Sequence, residues 1–145
     1  MIAIASDHGG FALKQELLAL LKEKGYEYND LGCYDTQSVD YPAYAAAVCR
    51  EVLEGRAEKG VLVCGTGIGM SIAANKFPGI RAALVTDCYS AEMTRQHNDA
   101  NVACFGGRTV GPELARRMLA RFLETPFSGQ EKHARRIGQI RELER

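Results

Sequence analysis

The segment best suited to chemistry is V-L-V-C-G-T-G-I-G-M-S, which spans residues 61–71. Glycine at every second position of its loop leaves backbone N–H groups free to point at an anion. The loop also faces a predicted helix start, where the helix dipole favours negative charge. Either a phosphate or an oxyanion formed during a reaction suits such a loop. The pattern therefore predicts an anion-binding loop.

Cys64 immediately precedes this loop, and two interpretations of it stay open. A buried apolar cysteine at the end of a strand is common. The alternative is a reactive thiolate, because loop amides and a nearby helix start stabilise negative charge on sulfur. Among the five cysteines only Cys64 leads into a glycine loop, and we expect Cys49, Cys88 and Cys104 to pack in the interior.

Other polar residues follow the ends of predicted elements. Asp7 and His8 stand at the end of the first strand. They either form a helix cap with a hydrogen-bonded histidine or contact hydroxyl and phosphate groups of a ligand. His97 lies where a helix should end. It is either part of a polar helix terminus or an acid–base group that works near neutral pH. Arg108 follows two glycines in a loop. Near the C-terminus a solvated amphipathic helix is dense enough in basic groups for one or two phosphate contacts: Lys132, His133, Arg135 and Arg136.

A dinucleotide-binding interpretation also has to be weighed. Asp87 follows the next strand at about the ~20-residue spacing of a ribose-binding acid. However, the strict G-x-G-x-x-G pattern requires glycine where Met70 stands. A chain of 145 residues also leaves little room for a dinucleotide and a substrate domain together.

Short apolar runs alternate with stretches of helical periodicity along the chain. This β-α-β-α order predicts a three-layer α/β/α sandwich around a five-stranded parallel sheet, with ligands beyond the carboxyl ends of the strands. The predicted strands are residues 2–6, 26–31, 60–64, 80–86 and 102–105. The predicted helices are residues 11–24, 43–54, 70–76, 112–124, a helix capped by Asp87 that reaches His97, and an extra charged helix over 130–145.

Composition narrows the class of protein further. The chain has 145 residues, 46% hydrophobic and 25% charged, which is ordinary for one globular domain. Eighteen basic and eighteen acidic residues cancel, so no overall field favours nucleic acid or an acidic membrane. The N-terminus lacks the pattern of a signal peptide, and the odd cysteine count fits free thiols, so we expect a cytoplasmic protein. No spacing suggests a metal site, and we expect no cofactor.

Several motifs together resemble the ribose 5-phosphate isomerase B family, in the group that includes the galactose 6-phosphate isomerase subunits. They are SDHGG at 6–10, DYP at 40–42, CGTGIGMSIAANK at 64–76, RQHNDANV at 95–102, FGGRTVG at 105–111 and HARRIGQI at 133–140. The match runs in order over almost the whole chain. It implies a flavodoxin-like fold, a homodimer or homotetramer with active sites shared across the subunit interface, and aldose–ketose isomerisation of a sugar phosphate.

The resemblance also implies roles for individual residues. Cys64 becomes the base that moves the proton, and His97 assists opening of the furanose ring together with Asp7. Asp7, His8 and Tyr41 help to hold the sugar, while Thr66 and the amides of the loop from Gly65 to Gly69 surround the reacting oxygens. Asn98, Arg108 and Arg136 contact the substrate or its phosphate. The whole chain is then a single isomerase domain, with helix 130–145 packing on the partner subunit.

Two positions bear on which branch of the family the chain follows. Relatives often have arginine where Lys132 stands, and lysine supplies charge without the bidentate fork, so the phosphate contact or the sugar length could differ. Another branch carries a glutamate base just beyond the glycine loop, where this chain has Asn75. The sequence thus indicates a cysteine base. Ribose 5-phosphate is the expected substrate, with a hexose 6-phosphate such as allose or galactose 6-phosphate, or a non-catalytic nucleotide or phospho-sugar binding module, left as alternatives.

Overall fold

The structure is a computed structural model that describes residues 1–144. Its strands are β1 (Ile2–Ser6), β2 (Tyr28–Asp30), β3 (Lys59–Cys64), β4 (Ala82–Leu84) and β5 (Val102–Gly106). Its α-helices are α1 (Phe11–Glu23), α2 (Tyr41–Leu53), α3 (Ile68–Ala74), α4 (Cys88–Asn98), α5 (Pro112–Glu124) and α6 (Glu131–Glu142). A 3₁₀ turn over His8–Gly10, which the sequence analysis did not predict, joins β1 to α1.

All five strands are parallel, in the order β2-β1-β3-β5-β4. Successive side chains of a strand point to opposite faces, so each central strand supplies both layers of the core. In β3, Val61 and Val63 pack with α1, α4 and α5, whereas Leu62 and Cys64 pack with α2 and α3. The predicted α/β/α sandwich with a five-stranded parallel sheet is confirmed.

The two edge strands are shorter than the sequence predicts. β2 covers three residues of the predicted 26–31, and β4 covers three of the predicted 80–86. An edge strand has a neighbour on one side only, so pairing ends where that neighbour diverges, even though the apolar run continues. Helices α2 and α3 each begin two residues before the predicted start.

Helix α6 lies against α4 of its own chain. Its buried residues are His133 and Ile137, one turn apart on the face toward the domain, while its basic residues remain exposed. Arg145, the last residue of the predicted 130–145 helix, lies outside the described residues. Packing of this helix on a second subunit stays a prediction.

Gly10 is where the turn after β1 crosses most closely over β3. A Cβ at this position would lie within 2.5 Å of the Val63 carbonyl carbon, and backbone atoms cannot move aside cheaply. We expect Gly10→Ala to lower the free energy of unfolding by about 1–3 kcal/mol, the usual cost of overpacking. Urea unfolding followed by circular dichroism measures it.

Gly138→Ala in the interior of α6 is the matched control, because nothing lies within 4 Å of its Cβ position. Alanine is the better helix former by about 0.5–1 kcal/mol, so this variant should be as stable as the wild type or more so. Equal unfolding midpoints for Gly10→Ala and the wild type would contradict the close crossing.

Candidate active site

Cys64 ends β3 at the carboxyl edge of the sheet and is 5% exposed. Its Sγ accepts a hydrogen bond from the Gly67 N–H at 3.1 Å. An N–H donor aimed at sulfur stabilises the thiolate, the form in which cysteine acts as a base. This contact favours the reactive interpretation of Cys64 over the purely apolar one.

The glycine loop supplies further donors beside the sulfur. Gly67 has φ +78°, and a Cβ there would lie 2.7 Å from Leu84 Cδ1, so both conformation and space require glycine. Thr66 is exposed, and its Oγ1 accepts the Ile68 N–H at 3.2 Å. Among residues 1–144, the N–H groups of Gly65 and Thr66 donate to no protein acceptor. They remain available for an anionic oxygen near Cys64.

Asp7 and His8 follow the neighbouring strand β1 at the same edge. Asp7 caps the 3₁₀ turn, because its Oδ1 accepts the Gly10 N–H at 3.0 Å. His8 Nδ1 accepts the Val39 N–H at 3.2 Å. A ring nitrogen that accepts a hydrogen bond carries no proton, so this contact favours the tautomer whose Nε2 is the donor. The helix-cap interpretation of Asp7 is confirmed, and within residues 1–144 its second carboxylate oxygen accepts no hydrogen bond.

Arg108 reaches the same edge from the loop after β5. Its backbone N–H donates to the Gly65 carbonyl at 2.9 Å, which ties this loop to the glycine loop. Its guanidinium lies over two glycines: Cβ atoms built on Gly9 and Gly65 would be 3.4 Å from Cζ and 3.3 Å from Nη1. No carboxylate among residues 1–144 pairs with it. The charge therefore faces the space above Cys64 and suits a phosphate.

Tyr41 closes another side of this edge at the start of α2. A Cβ on Gly69 would lie 2.6 Å from the Tyr41 ring, so the ring packs directly on the glycine loop. Tyr41 is 38% exposed. The structure thus brings six predicted site groups together at one edge of the sheet within one chain: Asp7, His8, Tyr41, Cys64, the loop 65–69 and Arg108.

The structure places His97 and Asn98 at the opposite edge of the sheet. Helix α4 starts beyond the carboxyl end of β4 and returns over 11 residues, a rise of about 16 Å. Asn101 lies just after the end of α4. Its backbone N–H donates to the Arg81 carbonyl just before β4, and its carbonyl accepts from the Gly60 N–H at the start of β3. His97 is therefore on the order of 15 Å from Cys64 in one chain.

The His97 ring stacks on the His133 ring of α6, with centroids 4.3 Å apart and an interplanar angle of 16°. Burial lowers the pKa of His133, and the neighbouring His97, Lys132 and Arg136 lower it further. This stack was missed by sequence reasoning, which assigned His133 only to a basic cluster. Nothing in the spacing of 97 and 133 could have revealed it.

Lys132 and Arg136 lie on the exposed side of α6, beside the stack. Neither forms an ion pair within the part of the chain that the structure describes. Asn98 is exposed, and its backbone carbonyl accepts from Arg81 Nε at 2.8 Å. The predicted site residues thus form two separate clusters in one chain: residues around Cys64 at the carboxyl edge of the sheet, here called the cysteine half-site, and His97, Asn98, Lys132 and Arg136 at the amino edge, here called the histidine half-site.

Asp87, whose position suggested a dinucleotide-binding site, forms its hydrogen bonds within the helix that it precedes. Its carboxylate accepts from the Ser90 N–H at 2.7 Å and from the Ser90 hydroxyl at 2.8 Å. These bonds hold the pKa of the Asp87 carboxyl below its usual value. The residue acts as the N-cap of α4, as predicted, and gives no support to a ribose contact.

Comparison with known proteins agrees with this geometry. The family model described as Ribose/Galactose Isomerase matches residues 2–140. The chain belongs to the ribose/galactose isomerase family. Ribose-5-phosphate isomerase B of Escherichia coli K12 is 46% identical over 143 residues, covering 99% of this chain and 95% of that protein.

Two solved structures show that the likeness extends to the fold of this family member. Ribose-5-phosphate isomerase B of Clostridium thermocellum superposes with a TM-score of 0.96 at 48% identity, covering 99% of this chain and 96% of the other. Type B ribose 5-phosphate isomerase of Trypanosoma brucei gives a TM-score of 0.96 at 50% identity, covering 99% and 97%. The fold that the motifs implied is confirmed over nearly every residue.

Neither a metal-binding cluster nor a membrane-spanning helix is found within residues 1–144. No group of three or more His, Cys, Asp or Glu side chains is placed to hold a metal ion. None of the described helices has the length and apolar character needed to cross a membrane.

Proposed function

We propose that the protein interconverts ribose 5-phosphate and ribulose 5-phosphate, with Cys64 as the base. The observation that carries the proposal is the Gly67 N–H donating to Cys64 Sγ at 3.1 Å within a loop of free amides. Relatives at 46–50% identity over nearly the full chain are named ribose-5-phosphate isomerases. The family model, in turn, covers both ribose and galactose isomerases.

The proton transfer follows from the cysteine half-site. The Cys64 thiolate takes the proton from C2 of the open-chain aldose, and the C–H electron pair moves into the C1–C2 bond. The C1 oxygen then carries the negative charge of an enediolate, which the N–H groups of Gly65 and Thr66 stabilise. Return of the proton to C1, with transfer of a proton from O2 to O1, completes the ketose. Preorganised donors of this kind contribute about 3–4 kcal/mol each to catalysis.

Ring opening requires an acid–base group in addition to Cys64. It removes the proton from the C1 hydroxyl and gives one to the ring oxygen, which is general acid–base chemistry suited to an imidazole. His97 is the candidate, with Asp7 assisting. Because His97 and Cys64 of one chain lie at opposite edges of the sheet, His97 has to come from a second copy.

A homodimer in which each site combines two half-sites satisfies this requirement. α3 exposes Ile68 and Ile72, 49% and 59% exposed, directly after the loop that holds Cys64. A groove of about 770 Å³ lies next to the histidine half-site, and its apolar lining includes Ile80, Ile140 and Leu143. Seating α3 of one copy at this groove of the other covers both apolar surfaces and brings Cys64 toward His97.

The phosphate would be held from both copies. Arg108 faces the cysteine half-site from its own chain, and Lys132 and Arg136 of the second copy approach from α6. Three unpaired cations are ample for one dianionic phosphate. Lys132 supplies a point charge where arginine would supply a fork, so Arg136 and Arg108 carry the directional hydrogen bonds.

The deciding experiment is an isomerase assay on the purified protein without added metal. Ribose, allose and galactose phosphates are offered separately, and the ketose product is measured by a coupled reaction. We expect turnover of ribose 5-phosphate at the highest kcat/KM. A preference for a hexose phosphate would move the protein to another branch of the family. No turnover of any of them, together with saturable nucleotide binding in calorimetry, would replace the isomerase proposal by a binding module.

A further inference from the structure

Lys14 is a fully buried lysine that the proposed mechanism does not use. It lies on the inward face of α1, with 0% exposure. Its Nζ donates to Asp30 Oδ1 and to the Cys33 carbonyl, each at 2.6 Å, and lies 5.6 Å and 5.4 Å from the ring centroids of Phe11 and Tyr34. Burying an ammonium is costly, and an apolar side chain would fill the same space without that cost. The contacts therefore point to a positional role.

These contacts surround the turn at which the chain leaves β2. Asp30 Oδ1 also accepts the Gly32 N–H at 3.0 Å, and the Asp30 carbonyl accepts the Tyr34 hydroxyl at 2.9 Å. The turn is fastened to the end of β1 as well, because Ser6 exchanges backbone hydrogen bonds with Gly32 and Cys33 at 2.7 Å and 2.8 Å. Ser6 directly precedes Asp7 and His8.

Residues 33–39, here called the strap, run from this turn back to the active site. Residues 34–38 are exposed, so the strap is held mainly at its two ends. At one end Lys14 binds the Cys33 carbonyl, and at the other the Val39 N–H donates to His8 Nδ1 at 3.2 Å. That second contact decides which nitrogen of His8 carries the proton.

We propose that Lys14 is a positioning residue that keeps the strap in register with His8. Its two hydrogen bonds set where the strap begins, so that the Val39 N–H reaches Nδ1 and the Nε2–H tautomer of His8 is selected. His8 then offers an Nε2–H donor to the substrate. This last step rests on the proposed function, whereas the link from Lys14 to the His8 tautomer does not.

The test uses the double variant Lys14→Met/Asp30→Asn, which removes both charges and leaves no unpaired carboxylate. Nitrogen-15 NMR of the three imidazole rings, assigned with a His8→Gln variant, reports the tautomer directly. We expect a single Nε2–H tautomer for His8 in the wild type and a mixture in the double variant. We also expect KM for ribose 5-phosphate to rise about tenfold, the worth of one hydrogen bond, with kcat within about twofold.

Lys24→Met/Glu124→Gln is the matched control, because it likewise removes a lysine–carboxylate ion pair, here at the exposed end of α1. It should change neither the tautomer nor KM. Lys14→Gln keeps amide donors of similar reach and should give an intermediate KM; it replaces the double variant if that protein does not fold.

Two outcomes would overturn the role of Lys14. An unchanged His8 tautomer in a folded variant would show that the strap does not depend on Lys14. A parallel loss of kcat and folding stability, with KM unchanged, would reduce Lys14 to a packing residue. A protein without isomerase activity still gives the NMR result, so failure of the proposed function is distinguishable from failure of this inference.

Discussion

Cys64→Ala is expected to lower kcat for ribose 5-phosphate by about 10²–10⁴-fold, the contribution of a well-placed base, while the substrate still binds. The sulfur is the proton acceptor beside the loop amides, and alanine leaves those amides, Arg108 and Tyr41 in place. Turnover in deuterated water measures the step itself, because solvent deuterium enters C1 of the ketose only when the base exchanges its proton. Calorimetry with ribose 5-phosphate measures the binding.

Cys88→Ala is the control, since Cys88 is half-buried at the start of α4 and packs with the core on the opposite face of the sheet from Cys64. Its kcat and KM should match the wild type. Cys64→Ser keeps the size and the hydrogen bond from Gly67 but supplies a hydroxyl that is hardly ionised at neutral pH, so it should be nearly as impaired as alanine. Near-normal turnover of Cys64→Ala would remove Cys64 as the base and leave the thiol a packing residue.

Mixing two inactive variants is expected to restore activity. Cys64→Ala lacks the cysteine half-site and His97→Ala lacks the histidine half-site, each in every copy. In a mixed two-fold dimer, one site combines Cys64 from one chain with His97 from the other and is intact. Random assortment of equal amounts makes half of the dimers mixed, with one working site in two, so about a quarter of wild-type activity should return.

The restored activity is read after co-expression or after unfolding and refolding the two variants together. The matched control mixes Cys64→Ala with Arg108→Ala, whose defects lie in the same half-site, so no arrangement of two chains rebuilds a complete site. That mixture should show no more activity than the two variants have separately. If Cys64→Ala and His97→Ala also stay inactive when mixed dimers are present, the two residues do not share a site across copies.

The local part of the active site could be predicted from residue order alone. A strand that ends in cysteine, followed by glycines at every second position, predicts a tight loop with free N–H groups, because glycine conformation and strand ends are properties of neighbouring residues. The polar ends of β1, β3 and β5 were predicted to meet for an equally simple reason. The carboxyl ends of parallel strands lie at one edge of the sheet.

The role of Lys14 was only half visible in the sequence. Lys14 falls on the same helical face as Leu17 and Leu21, where a lysine is out of pattern, so its burial could have been suspected. The identity of its partners could not be predicted, because Asp30 and Cys33 lie 16 and 19 residues further along the chain. The strap and its link to His8 therefore appear only in the folded chain.

The sequence by itself determined the fold class and the family to which the chain belongs, and it predicted the residues that cluster around Cys64. Each depends on contiguous motifs or on the alternation of strands and helices. Tertiary structure alone decided that His97 stacks on His133, that both lie at the opposite edge from Cys64, and that one chain carries two separate half-sites. The physical reason is that these distances are set by how helices α4 and α6 pack on each other and on the sheet, and that packing brings together residues 36 positions apart while it separates Cys64 from His97.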